Sequence, residues 1–237
     1  PAEITYYLNI SKSRYALTLD LFADKFREIK AETPLETLIL TGIFDAVPRT
    51  EKAGAKGVSP EPGVYWWHDL MTGNYPEAPK ADIGTDELAV ILYSGGTTGF
   101  PKGIMLSNYN FITEGMMVYE WWNRGVGGGD EQPVVLAILP IFHGFGLGIC
   151  CNAMFMGGGQ SILVPQFTPE IVADLVVKKR PSFLTGVPTL YDALSRNPVF
   201  QGADLSCLKT TTCGADSLPK IVKERFEEVV RKQKGNV

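Results

Sequence analysis

Leu88-Ala89-Val90-Ile91-Leu92-Tyr93 runs directly into Ser94-Gly95-Gly96-Thr97-Thr98-Gly99-Phe100-Pro101-Lys102-Gly103. The first part is the continuous apolar run expected of a strand covered on both faces. The second part is its chemical opposite. Glycines let backbone N–H groups approach phosphate oxygens closely, Ser94, Thr97 and Thr98 add hydroxyl donors, and Lys102 adds a cation. The loop is not of the Walker type, which ends in Gly-Lys-Ser/Thr and runs into a helix, because Lys102 stands between Pro101 and Gly103. Composition alone also allows a tight glycine turn capped by its own hydroxyls.

Outward from this stretch the chain repeats one pattern, a short β-rich run, a turn and an amphipathic helix, as in α/β domains. Upstream, strands are expected over residues 15–19 and 37–41 with a helix over 21–30 between them. A surface loop rich in Gly, Pro and Lys follows over 47–63. Downstream, Ser107 is a plausible N-cap for a helix to Asn123, and the glycine-rich residues 124–130 form a turn. Strands over 134–139, 161–164, 182–187 and 208–212 then alternate with helices over 145–156, 168–179, 188–195 and 218–232. Thr168-Pro169-Glu170 supplies the cap, first-turn proline and early acid that open the second of these helices. The expected fold is α/β, a mixed, mostly parallel sheet with helices on both faces.

The chain has 237 residues, 45% hydrophobic and 20% charged, enough to bury a substantial core. A net charge of −4 argues against a generic electrostatic grip on nucleic acid or anionic lipid, so phosphate binding must be local. Cys150, Cys151, Cys207 and Cys213 form no CxxC pair and have no metal-ligand spacing to His68 or His143, which suits free thiols in a cytoplasmic protein. The uncharged stretch 144–164 is long enough to suggest a membrane span. Asn152, Gly157-Gly158-Gly159 and Gln160 divide it into a helix and a strand, so no transmembrane segment is expected. Residues 1–11 lack the pattern of a signal peptide.

The full string Tyr93 to Gly103 resembles the signature loop of the adenylate-forming superfamily, which includes acyl-CoA synthetases, firefly-type luciferases and peptide-synthetase adenylation domains. Ser94 stands at that family's usual threonine and Gly95 at its usual serine, and the Gly-Gly form is similar to many fatty acyl-CoA ligases. Two further segments match in order. Leu139-Pro140-Ile141-Phe142-His143-Gly144-Phe145-Gly146 resembles the segment whose histidine and aromatics face the acyl pocket. Cys213-Gly214-Ala215-Asp216-Ser217-Leu218 resembles the segment beside the adenine, departing at Cys213, Asp216 and Ser217. Thr185 to Tyr191 is similar to the Val-Pro-Thr segment between them. The match is strong over 86–237 and weaker over 1–85.

The resemblance implies an ATP-dependent fatty acid–CoA ligase: a carboxylate attacks the α-phosphate of ATP, and CoA then takes the acyl group. On that basis Ser94, Gly95, Gly96, Thr97, Thr98, Gly99 and Lys102 would hold the phosphates. Gly214, Ala215 and Asp216 would border the adenine, His143 would position the acyl carboxylate, and Phe142, Gly144, Phe145 and Cys213 would line the acyl pocket. ATP, Mg2+ and CoA are the implied cofactors, and the implied partners are these small molecules and a fatty acid, with no nucleic acid. Nothing in the sequence sets an oligomeric state.

The family's aromatic-Gly-x-Thr-Glu segment with its magnesium carboxylate, and its small C-terminal catalytic domain, have no counterpart in this sequence. The expectation is therefore a central portion of the large domain, inactive by itself. A fatty acyl-AMP ligase, a carrier-loading adenylation domain and a non-catalytic nucleotide-binding or scaffold piece are the alternative readings. Trp121, Trp122 and His68 read as packing or surface residues.

Overall fold

The computed structural model describes residues 2–43, 45, 61–73, 75, 77, 80–95, 101–125 and 132–236. The chain forms two compact units, one of Pro1–Asp82 with Ser94–Gly103 and one of Ile83–Tyr93 with Ile104–Val237.

In the first unit, α1 (Ala2–Ser11) precedes β1 (Tyr15–Leu19), α2 (Ala23–Ile29), β2 (Thr37–Thr41), β3 (Val64–Trp66) and α3 (Trp67–Thr72). The strands form a parallel sheet in the order β1-β2-β3, with Tyr15 opposite Thr37 and Leu38 opposite Val64. Strand β2 alternates half-buried and buried residues, the period-two signature of a pleated strand with one dry face. Its inward Leu38 and Leu40 pack with Ala23, Phe26 and Trp66, while Leu8 of α1 joins Ile29 and Leu35 in a second cluster. Most of the expected loop 47–63 lies outside the described residues. Its end is followed by β3 and α3, short elements with no period long enough to read in advance.

β4 (Leu88–Ser94) and β5 (Lys102–Ser107), most of whose residues belong to the second unit, form a two-stranded sheet, and the glycine-rich sequence connects them. The connection is too short for a parallel crossover, so the pair is a hairpin. Two expectations fail here. Strand β4 is half-buried or exposed throughout, not covered on both faces. The residues from Lys102 to Ser107, read as leading straight into a helix, form β5. Apolar composition identified β4 as a strand, but burial depends on neighbours that composition does not specify.

Helix α4 (Asn108–Gly125) starts where the cap was expected: the Ser107 hydroxyl accepts the Asn110 amide at 3.2 Å, and Asn110 Oδ1 accepts the Ser107 amide at 3.1 Å. This is a reciprocal box with Asn in place of the usual Glu or Gln. The glycine-rich turn after it falls mostly on residues outside the described set.

The remaining strands, β6 (Val134–Ala137), β7 (Gln160–Leu163), β8 (Phe183–Gly186) and β9 (Thr210–Cys213), form one parallel sheet in the order β7-β6-β8-β9. Successive residues of β6 serve opposite faces. Val135 and Ala137 join Phe183, Cys150, Ala153, Met154 and Trp122 of α4, the indole stacking on Phe183 at 4.7 Å. Leu136 joins Leu184 and the apolar stripes of α6 (Pro169–Lys179), α7 (Pro188–Arg196) and α9 (Lys220–Lys232). In α9 that stripe is Val222, Phe226 and Val230, spaced four residues apart. A short α8 (Pro198–Gln201) places Phe200 in the same layer.

Helix α6 begins as expected, with Thr168 Oγ1 accepting the Ile171 amide, and ends on Arg180 in the left-handed conformation. The helix expected over 145–156 is two segments, a π-helix (Gly146–Asn152) and α5 (Ala153–Met156). The expected α/β fold with mostly parallel strands and helices on both faces is the one observed.

Candidate functional site

Because β6, β8 and β9 are parallel, the segments that follow them leave the sheet at the same edge. The His143 segment follows β6, Val187-Pro188 follows β8, and Gly214-Ala215-Asp216 follows β9. The chain proceeds outward from β6 to β7 and then returns to β8 on the other side, so a topological switch lies between β6 and β8. Crevices beyond the carboxyl ends of strands at such a switch are where open α/β sheets bind ligands.

The contacts join these segments. Phe145 packs its ring onto Gly214, where an added Cβ would lie 2.7 Å from Phe145 Cζ, and a Cβ on Gly144 would lie 3.2 Å from Leu92 of β4. The Gly214 amide donates to the Gly186 carbonyl at 3.1 Å, holding the end of β9 against the end of β8. Tyr191, buried on α7, donates to the Thr212 carbonyl at 2.6 Å and the Leu184 carbonyl at 3.2 Å, and Thr212 donates to Thr185 at 3.0 Å. Burial first, then the neighbouring Cys213 and Cys150, pushes the Tyr191 phenol well above its ordinary value, so it stays a neutral donor. Leu92, Gly186 and Tyr191 were given no role from sequence. Tyr191 lay inside a recognised segment, but only the fold shows that its hydroxyl reaches two strands.

Ala215 holds φ +66°, the left-handed region that favours glycine. A non-glycine residue there costs about 1–2 kcal/mol and persists where its surroundings over-determine it. Asp216 accepts the Ser217 amide at 2.7 Å, a local turn that carries the strained residue. Burial first, and then the Asp216 charge, raises the Cys213 thiol, which keeps it protonated at neutral pH and not a nucleophile. Cys150, fully buried below, is pushed up to about 12, chiefly by burial.

His143 is exposed, and its Nδ1 accepts the Phe145 amide at 3.1 Å, which leaves Nε2 as the nitrogen available to a ligand. Phe145 and Gly144 are half-buried, whereas Phe142 is 86% exposed. In the glycine-rich loop, Gly96, Thr97, Thr98 and Gly99 lie outside the described residues. Ser94 Oγ donates to the Lys102 carbonyl at 3.5 Å, no described residue would meet a Cβ on Gly95 within 4 Å, and the Tyr6 hydroxyl of α1 donates to the Pro101 carbonyl at 2.9 Å.

Trp122 is core, as expected of a packing residue, while Trp121 is 71% exposed beside an open apolar groove of about 1000 Å³ along α4 that contains no predicted site residue. Among the described residues no group of three His, Cys, Asp or Glu side chains is arranged to hold a metal ion, and no helix is long and apolar enough to cross a membrane.

A parallel α/β sheet with loops gathered at one carboxyl edge defines a nucleotide- or ligand-binding class of fold. The chain belongs to the AMP-binding enzyme family, whose model matches residues 1–236. It is 30% identical over 239 residues to a long-chain-fatty-acid–CoA ligase of Bacillus subtilis, covering 96% of this chain and 42% of that protein. It is 34% identical over 150 residues to a feruloyl-CoA synthase of Amycolatopsis, covering 63% of this chain and 30% of that one. The chain thus spans well under half the length of these relatives. Among solved structures it is similar in fold to an anthranilate CoA ligase in complex with anthranoyl-AMP, with a TM-score of 0.77, 22% identity and coverage of 98% of this chain and 42% of that one. ATP-bound MatB from Rhodopseudomonas palustris gives a TM-score of 0.75 at 24% identity, over 96% and 40% of the two chains.

Proposed function

We propose that this chain is the central portion of a larger AMP-binding domain, from an ATP-dependent ligase that activates a fatty acid as its acyl-adenylate and passes the acyl group to CoA. The observation that carries the reading is the convergence of the His143, Val187 and Gly214 segments at one sheet edge, with Phe145 seated on Gly214. The fatty-acid choice is supported by the Bacillus ligase, similar across 96% of the chain. A second reading, a planar aromatic acid, is favoured by the likeness to the feruloyl-CoA synthase over a shorter stretch.

The acid's carboxylate oxygen attacks the α-phosphorus of ATP and pyrophosphate leaves. The CoA thiolate then attacks the acyl carbon, forming the thioester and releasing AMP. The chain's part is positioning and charge stabilisation. Ser94, Thr97, Thr98, Lys102 and the backbone of Gly95, Gly96 and Gly99 hold the β- and γ-phosphates. Gly214 and Ala215 let the base lie close to the backbone, with Asp216 at its edge. His143 Nε2 orients the carboxylate, and Phe145, Gly144 and Cys213 form the wall beside the acyl group. The described residues hold no fitting set for Mg2+, so no step is assigned to the ion here.

Calorimetry with ATP and with a fatty acyl sulfamoyl-adenosine, a stable mimic of the acyl-adenylate, tests the reading. Binding of the mimic is expected, with affinity falling for a benzoyl counterpart. Binding of neither nucleotide would favour a scaffold role, and tighter binding of the benzoyl form would favour an aromatic acid. Pyrophosphate exchange by the chain alone should be negligible, and robust turnover would refute its reading as part of a larger catalytic unit.

A further inference from the structure

The site wall hangs on the π-helix, whose first residue follows Phe145, and one polar pair holds that helix to α4. Asn152, 4% exposed, donates from Nδ2 to the Phe111 carbonyl at 2.5 Å and to Glu114 Oε2 at 2.9 Å. The two helices are cut to receive these side chains. A Cβ on Gly115 would lie 2.8 Å from Asn152 Nδ2, and a Cβ on Gly148 would lie 2.6 Å from Glu114 Oε1. Each polar group therefore lies over a glycine of the opposite helix.

The rest of this contact, built from Trp122, Cys150, Ala153 and Met154, is apolar. Stability alone would be served by continuing it, because the buried Asn152 amide must be desolvated along with the half-buried Glu114 carboxylate that accepts from it. What the pair adds is register. Sliding α4 along the π-helix by one turn, about 5.4 Å, would strand the buried Asn152 amide without its two acceptors. The other end of α4 is equally fixed: the Asn108 amide donates to the Glu87 carbonyl at 2.9 Å and the Tyr109 amide to the Thr85 carbonyl at 2.8 Å, just ahead of β4.

We infer that Glu114 and Asn152 are positioning residues, locking the segment that carries His143 and Phe145 to the helix that leaves the phosphate-loop hairpin. The inference rests on the adenylation reading above. Neither residue is assigned a contact with substrate. They act through the π-helix, and a 1 Å misplacement of Phe145 would disturb the acyl wall and its seat on Gly214 together.

The test compares the wild-type chain with E114A, N152A and the isosteric E114Q, whose amide oxygen can still accept from Asn152. Calorimetry follows a dodecanoyl sulfamoyl-adenosine and, separately, tripolyphosphate, while amide exchange follows residues 143–152 and 183–186 without ligand. The expected result is a loss of mimic affinity on the order of tenfold in E114A and N152A. Tripolyphosphate binding should be unchanged and E114Q should bind as wild type. Exchange should be faster over 143–152 alone.

Equal mimic affinity in all four proteins would overturn the inference. So would a general loss, in which the alanine variants fail to fold or lose tripolyphosphate as well. Failure of the wild type itself to bind the mimic would sink the adenylation reading instead. Exchange would then decide the pair: acceleration confined to 143–152 and reversed in E114Q retains the coupling, and uniform exchange removes it.

Discussion

Strands β4 and β6 are both short apolar runs, yet the fold treats them differently. Strand β6 lies between β7 and β8, has helices on both faces, and buries Val135 and Leu136 completely. Strand β4 has β5 as its sheet neighbour and contains no fully buried residue, and Leu88, Ile104 and Met105 of the hairpin stand exposed. Helix α4 shows the same contrast on one element. Trp122 is stacked in the core while Trp121, Met116 and Met117 line an open groove. Apolarity makes a residue able to be buried; the elements packed around it decide whether it is.

The widest separation should come from truncation in each region. Phe226 packs between Tyr191 at 4.7 Å and Phe200 at 6.1 Å, so F226A should cost about 3–5 kcal/mol in urea unfolding. M105A, at a residue 68% exposed on β5, should stay within about 0.5 kcal/mol. A comparable loss in M105A would break the comparison, because it would mean the hairpin shares the core's packing.

Two glycines extend the contrast to the site loops. G214A drives a methyl against Phe145 and should cost about 1–3 kcal/mol. Among the described residues none would lie within 4 Å of a Cβ on Gly95, and G95A should leave the unfolding midpoint in place. Equal effects from both would show that the chain at Gly95 is as tightly packed as the Phe145 seat.

Within the well-packed region, T168A removes the cap accepted from Ile171 and should cost about 1 kcal/mol, measured in the same way. No change would mean that α6 is held by its buried face alone.

The smallest effect is electrostatic. Hydrogen bonds from Ser206, then Arg180, hold the Asp204 carboxyl down at about 2. A depressed carboxylate contributes stability above its unfolded value of about 3.9, and that contribution is lost as pH falls toward the folded value. D204N should therefore flatten the acid limb of the stability profile between those two values. An unchanged slope would remove Asp204 from the account.

Much of this architecture was legible in advance because its signals are local. Strand boundaries at Tyr15–Leu19 and Thr37–Thr41 followed from β-rich runs, and α6 from the Thr168-Pro169-Glu170 cap. Strand β5 was not legible, since Lys102 to Ser107 has neither a period nor a cap that distinguishes a hairpin return from a helix entry. The π-helix was hidden for a related reason. Its apolar composition suits any helix, and the contacts of Gly148 and Asn152 with α4 are made by residues far away in the chain.

The sequence by itself determined the alternation of strands and helices, their parallel class and the order of the three motif segments along the chain. Hydrogen-bonding periods, caps and loop glycines are written within a few residues, and for that reason they can be read without the fold. Only the tertiary structure decided which apolar runs are buried, that Phe145 covers Gly214, and that Glu114 reaches Asn152. Those facts join residues far apart in the chain, and only strand order and helix register bring them together.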